Sequence, residues 1–157
     1  MTGIDELAES LYKIEGDIEP LAKAMIMQGA ELMKQQRIAT AIAYGHVRDH
    51  YMVDNIGYAK RPRNIHGVIS NDVFSKGKDP KGVRNAEKEY LLHYGWSNYD
   101  GDHWVDEADQ LGQEIAYDKM SGMMDSYLET GKVPEVKISK RRKTKLHTII
   151  CWNCKSI

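Results

Sequence analysis

Histidine is the side chain that exchanges protons near neutral pH, and His93 stands in the richest aromatic run of this chain, V-R-N-A-E-K-E-Y-L-L-H-Y-G-W-S-N-Y at residues 83 to 99. His93 with Asp102, His103 or Asp106 would supply a proton acceptor and the group that orients it. Nothing in the spacing fixes their geometry, however, and a lone histidine between Leu92 and Tyr94 reads as packing. His46 and His50 lie four apart, as on one helix face, with Asp49 and Asp54 nearby. That set lacks the H-E-x-x-H order of a helical zinc site and reads as coincidence. Cys151 and Cys154, in C-W-N-C, have the spacing of a zinc or redox pair, but no second pair or βαβ unit accompanies them. Residues 75 to 82, S-K-G-K-D-P-K-G, offer glycines and lysines for phosphate without the order of a P-loop. Asp106, Glu107 and Asp109 fall in the opening turns of an expected helix, where its dipole favours carboxylates, and so form no catalytic dyad. The expectation is no enzyme, no cofactor and no metal, with Cys151 and Cys154 as the weak metal alternative.

With 157 residues the chain fits one domain large enough to bury a core without staples. Twenty-two Lys plus Arg against 23 Asp plus Glu leave a net charge of -1, which exerts no global pull toward nucleic acid or an anionic membrane. Charge is uneven locally: Lys137, Lys140, Arg141, Arg142, Lys143 and Lys145 gather six basic residues in nine positions. Such a block is a solvated arm or a contact for nucleic acid. No run approaches the roughly 20 apolar residues of a membrane span, so no membrane partner is expected. The acidic start M-T-G-I-D-E-L is unlike a secretory signal, and both cysteines lie in the last seven residues, all consistent with a reducing cytoplasm.

The elements that would position these residues follow from periodicity. Leu7, Leu11 and Ile14 predict a short helix over 5 to 14, ended by Gly16. Asp17 then caps a second helix to about residue 43, with Pro20 in its first turn and an Ala- and Met-rich stripe suited to close packing or to a partner. Residues 55 to 60 and 67 to 74 predict two strands of a hairpin or meander with Tyr58, Val68 and Phe74 on the packed face. The basic loop 75 to 82 is expected to be exposed and mobile. Tyr90, Tyr94 and Trp96 are expected in the core with Trp104, and Gly95 to turn the chain without a Cβ. The clearest helix runs from 102 to 129, capped by Asp102, with Trp104, Ala108, Leu111, Ile115, Ala116, Met120, Met123, Tyr127 and Leu128 as its apolar stripe and Gly131 as its stop. The fold class expected is α+β: N-terminal helices and a long C-terminal helix packed on a small, mostly antiparallel sheet, spanning 1 to 131, with 132 to 157 as a basic arm. The apolar run T-I-I-C-W near the end of that arm could add a strand to a sheet edge.

In this order, G-V-I-S-N-D-V-F, G-K-D-P-K-G-V-R-N-A-E-K-E-Y-L-L-H-Y-G-W-S and H-W-V-D-E-A-D followed by a closing helix resemble the HK97 gp10-like family of phage tail-component proteins. Tyr94, Gly95 and Ser97 match that family's Y-G-T-S signature with Trp96 in place of Thr, and Trp104 with Ala108 match its aromatic helix opening. The likeness covers about residues 4 to 131, while R-D-H-Y-M-V-D-N-I-G matches only loosely the stretch that precedes the family's first strand. The resemblance implies a non-enzymatic virion protein of a long-tailed phage or prophage, a tail completion or head-tail joining component of the neck, present in the host cytoplasm during assembly. It implies a homo-oligomeric ring, with a hexamer as the expected form, beside a connector or stopper and a tail terminator or tail tube protein. In such a ring Lys76, Lys78, Lys81, Lys140, Arg141, Arg142 and Lys143 are the residues placed to face channel DNA or a neighbouring ring. The alternative is a nucleic-acid-binding module using the basic arm, with zinc at Cys151 and Cys154.

Overall fold

The protein is described by a computed structural model covering residues 2–47 and 50–136. Two long helices form its spine. Helix α1 (Thr2–Ala43) is one element of 42 residues, where the sequence predicts two helices separated at Gly16. A lone glycine costs about 1 kcal/mol in a helix interior, too little to end one. Pro20 therefore lies inside the helix, not in a first turn. Its missing N–H and its ring both concern the carbonyl four residues back, and that carbonyl belongs to Gly16, the residue type with most freedom to tilt it.

Helix α4 (Trp104–Thr130) packs antiparallel along α1. The seam is made of small residues. A Cβ on Gly112 would sit 2.7 Å from Met33 Sδ, and one on Gly29 would sit 3.2 Å from Met120 Sδ and 3.8 Å from the Ala116 Cβ. The buried face of α4 is Trp104, Ala108, Gly112, Ala116, Met123 and Tyr127, a narrow stripe with intervals of four and, once, seven residues. Leu111, Ile115 and Leu128, expected on that stripe, are exposed. The physical reason is that one close-packed partner helix covers only a narrow strip of α4, so a broad apolar band outruns it. Gly131 stops α4 in the left-handed region (φ 61), its N–H bonded to Tyr127 O at 2.7 Å, as expected.

The space beside the spine holds α2 (His50–Asp54), α3 (Asn85–Tyr94) and four strands of three residues each: β1 (Ile56–Tyr58), β2 (Arg63–Ile65), β3 (Val68–Ser70) and β4 (Val73–Ser75). The expected hairpin is a nested pair of antiparallel ladders. β1 pairs β4 with Ile56 opposite Ser75, and β2 pairs β3 with Asn64 opposite Ile69. Of the expected packed face, Val68 and Phe74 are exposed and Tyr58 is half-buried. The fold is thus α+β, with N-terminal helices, a long C-terminal helix and a small antiparallel strand set.

The apolar core sits at one end of the spine. Ala41 of α1, Met52 and Val53 of α2, Ile56 of β1 and Trp104 and Ala108 of α4 are buried together, with Ile38, Val73, Leu92 and Val105 against them. Fully burying a side chain such as Met52 or Ile56 contributes about 1.5–3 kcal/mol, so this cluster fixes how α2, β1 and α3 attach to the helical pair.

Candidate functional site

Helix α3 inverts the expected packing. Its buried residues are Asn85, Glu89 and His93, a polar stripe at four-residue spacing, while Tyr90, Tyr94 and Trp96 are 61, 57 and 51% exposed. Of the five expected core residues only Trp104 is buried outright, and Gly95 is half-buried. The reason lies in what α3 faces: backbone groups of a loop and a strand edge, which need hydrogen-bonding partners rather than apolar cover.

Each polar residue of the stripe has its own task. Asn85 donates its side-chain amide to Lys76 O at 2.7 Å and its backbone N–H to Gly77 O at 3.0 Å, which anchors the basic loop. Within that loop the Asp79 carboxylate accepts the N–H groups of Lys81 and Val83 at 2.9 Å and pairs with Lys88 at 2.7 Å. The Lys88 ammonium, then these backbone N–H groups, hold the Asp79 carboxyl below its usual range. The loop is therefore tied internally, and Lys78, Pro80 and Lys81 are exposed as expected. Lys76 donates to Tyr58 O and lies over the Phe74 ring, whereas Lys78 and Lys81 are exposed.

Glu89 joins the spine to the strands. One of its oxygens accepts the N–H of Ser75 at 2.7 Å and the other accepts from Arg37 at 3.1 Å. Arg37 also donates to both carboxylate oxygens of Asp109, at 2.9 and 2.8 Å, and to Val73 O. One guanidinium thus ties α1, β4, α3 and α4 together with the forked geometry that only arginine offers. The sequence reading missed Arg37 and Glu89 and gave Asp109 to the helix dipole alone.

His93 closes the stripe where α3 ends and α4 begins. Its carbonyl accepts the N–H of His103 at 3.1 Å, and the two imidazoles meet edge to face at 4.9 Å between centroids. His93 Nε2 stands 3.6 Å from Asp106 Oδ1, and His103 Nδ1 stands 3.6 Å from Asp106 Oδ2. His93 is buried, and its Nδ1 has no hydrogen-bond partner. His103, the residue before α4, holds a left-handed backbone (φ 53) and makes no side-chain cap. The expected cap, Asp102, instead accepts the Trp104 N–H at 3.3 Å and the Tyr99 hydroxyl at 3.0 Å, and its Oδ2 is 2.8 Å from His46 Nε2.

Among the described residues, His93, His103 and Asp106 are the one cluster of three metal-ligating side chains. His46 and His50 do not join such a group: His46 turns to Asp102 with its ring tilted 59° against Trp104, and His50 stacks on Tyr51. Asp49, the arm residues Lys140, Arg141, Arg142 and Lys143, and Cys151 with Cys154 lie outside the described residues. No helix among the described residues is long and apolar enough to cross a membrane. No protein-family model matches this chain, and neither does any curated protein or solved structure.

Proposed function

We propose that the chain is an assembly subunit without enzymatic activity, a tail completion or head-tail joining component of a long-tailed phage or prophage that works as a homo-oligomeric ring. The observation that carries this reading is the apolar surface left uncovered by a single chain. Tyr12, Ile14 and Ile18 on α1, Leu111, Ile115, Tyr117 and Leu128 on α4, and the aromatic edge Tyr90, Tyr94 and Trp96 are all exposed. Isolated exposed apolar residues are ordinary, but rows of them along both long helices mark surfaces that other protein covers. The occupant is a second copy of the chain: in a closed ring the same two faces meet around the axis, so every copy is covered on both sides.

Two further features support the reading. A groove of about 1110 Å³ between α1, α4 and the strands is lined by Ile26, Met33, Ile69 and Met120, flexible apolar side chains that adapt to an inserted segment. The two-stranded ladders leave strand edges that can pair between subunits. The phage assignment rests on the likeness around Tyr94, Gly95, Ser97 and Trp104. Lys78 and Lys81, with the arm residues Lys140 to Lys143, are placed in this reading toward DNA or an adjoining ring. Mass measurement of the purified protein, alone and with tail tubes, tests the proposal: rings that join tubes support it, and a strict monomer that never associates with tails sinks it.

A further inference from the structure

We infer that His93, His103 and Asp106 form a binding site for a divalent transition-metal ion, of which zinc is the natural probe. His93 is a buried polar side chain whose ring makes no hydrogen bond: Nδ1 is enclosed without a partner, and Nε2 stops 3.6 Å from Asp106 Oδ1, beyond hydrogen-bond reach. The same 3.6 Å separates His103 Nδ1 from the other oxygen of that carboxylate. A donor and acceptor meant for each other close to about 2.9 Å, whereas neighbouring ligand atoms around a tetrahedral zinc stand about 3.4 Å apart, given metal–ligand bonds of about 2.0–2.1 Å. One donor atom from each residue lies within 4.8 Å of the other two, so small rotations of the exposed His103 and Asp106 side chains complete the set.

The backbone holds the pair of imidazoles ready. A Cβ on Gly101 would sit 2.4 Å from His93 O, so only glycine lets the loop return closely enough for the His103 N–H to bond that carbonyl. His103 itself adopts a left-handed backbone that non-glycine residues rarely hold, and such outliers gather where a side chain must be aimed. Two imidazole nitrogens and one carboxylate select zinc and its neighbours over magnesium or calcium, which prefer all-oxygen sets. The start of α4 opposes a cation through its dipole, and the Asp106 carboxylate offsets that. The bound ion would fasten the end of α3 to the start of α4, with its remaining position open to solvent beside His103 and Asp106, whose side chains are 59 and 74% exposed.

The test is zinc titration of the full chain by calorimetry, with cobalt(II) absorption as the readout of coordination. Four variants accompany it: His103→Ala, Asp106→Asn, His66→Ala and the double variant Cys151→Ser/Cys154→Ser. The expected result is one zinc per chain, retained in the His66 and cysteine variants and weakened roughly tenfold or more by His103→Ala and by Asp106→Asn, with circular dichroism unchanged because both residues are exposed. A native chain that takes up no zinc, or one whose zinc disappears only with the cysteines, overturns the inference.

Discussion

A β-carbon at Gly95 would sit 2.1 Å from Tyr99 O, where the chain doubles back from α3 toward α4 with φ at 86. No side chain can be accommodated there without moving backbone, and strain in that region alone costs about 1–3 kcal/mol. Gly95→Val should therefore destabilise by roughly 3 kcal/mol or more and yield little folded protein in a denaturant titration. Gly131→Ala is the contrast: φ is 61, but the nearest atom to its Cβ would be the flexible end of Lys13 at 3.5 Å, so a cost of about 1 kcal/mol is expected. Among the described residues Tyr44 donates its hydroxyl to Glu107, Tyr58 to Glu31, Tyr99 to Asp102 and Tyr127 to Asp17. All four are raised above the usual tyrosine range, Tyr44 chiefly by its hydrogen bond to Glu107 and the other three chiefly by burial. A raised value in the folded state means the contribution is whole below the unfolded value of about 10 and is lost as pH climbs through the folded values. The contribution of these four tyrosines should thus be lost only above about pH 10, and an alkaline ultraviolet titration of the folded chain should show a late-ionising set that Tyr58→Phe reduces.

Among the elements, α3 shows best what a sequence hides. The turn at Gly95 was legible in the sequence, but neither the helix Asn85–Tyr94 before it nor that helix's buried side was, because the run was read only as an aromatic core segment. Hydropathy assigns Tyr90, Leu91 and Tyr94 to the core, and what decides against it is the row of backbone groups in the loop and β4 that Asn85 and Glu89 satisfy. The four-residue spacing of Asn85, Glu89 and His93 was the available signal. α4 was legible because periodicity and the stop at Gly131 agree, although the expected cap Asp102 lies one residue before the actual one, and its overly broad apolar band shows that periodicity finds a face without saying how much of it a partner helix reaches. The candidate site was half legible: His93, His103 and Asp106 were named as possible partners, but their approach depends on a left-handed histidine and two glycines that no spacing rule encodes. Arg37 gives the sharpest prediction at this scale. Arg37→Leu leaves Glu89 and Asp109 facing one another without their shared cation and should cost about 3–5 kcal/mol by denaturant unfolding. Arg37→Lys should recover only part of that, since an ammonium cannot grip both oxygens of Asp109 while reaching Val73 O.

At the scale of the whole molecule, the residues that hold the chain together and those it leaves uncovered separate cleanly. The core at the junction of α1, α2, β1 and α4 contains none of Tyr90, Tyr94 or Trp96. Replacing Tyr90 and Trp96 together by Ser should leave the melting temperature within a few degrees of the native chain, as surface changes do, while weakening self-association in sedimentation. Loss of folding instead of association would place those aromatics in the protein's own core after all.

The two long helices are unequal, and the difference has a direction. At 1.5 Å per residue the 42 residues of α1 extend about 63 Å and the 27 of α4 about 40 Å. α4 ends with Gly131 beside Lys13, so the turns of α1 before that point run on past their partner for about 16 Å. A rod of that length, stiffened by its own backbone bonds, can reach across to an adjacent body without unfolding anything.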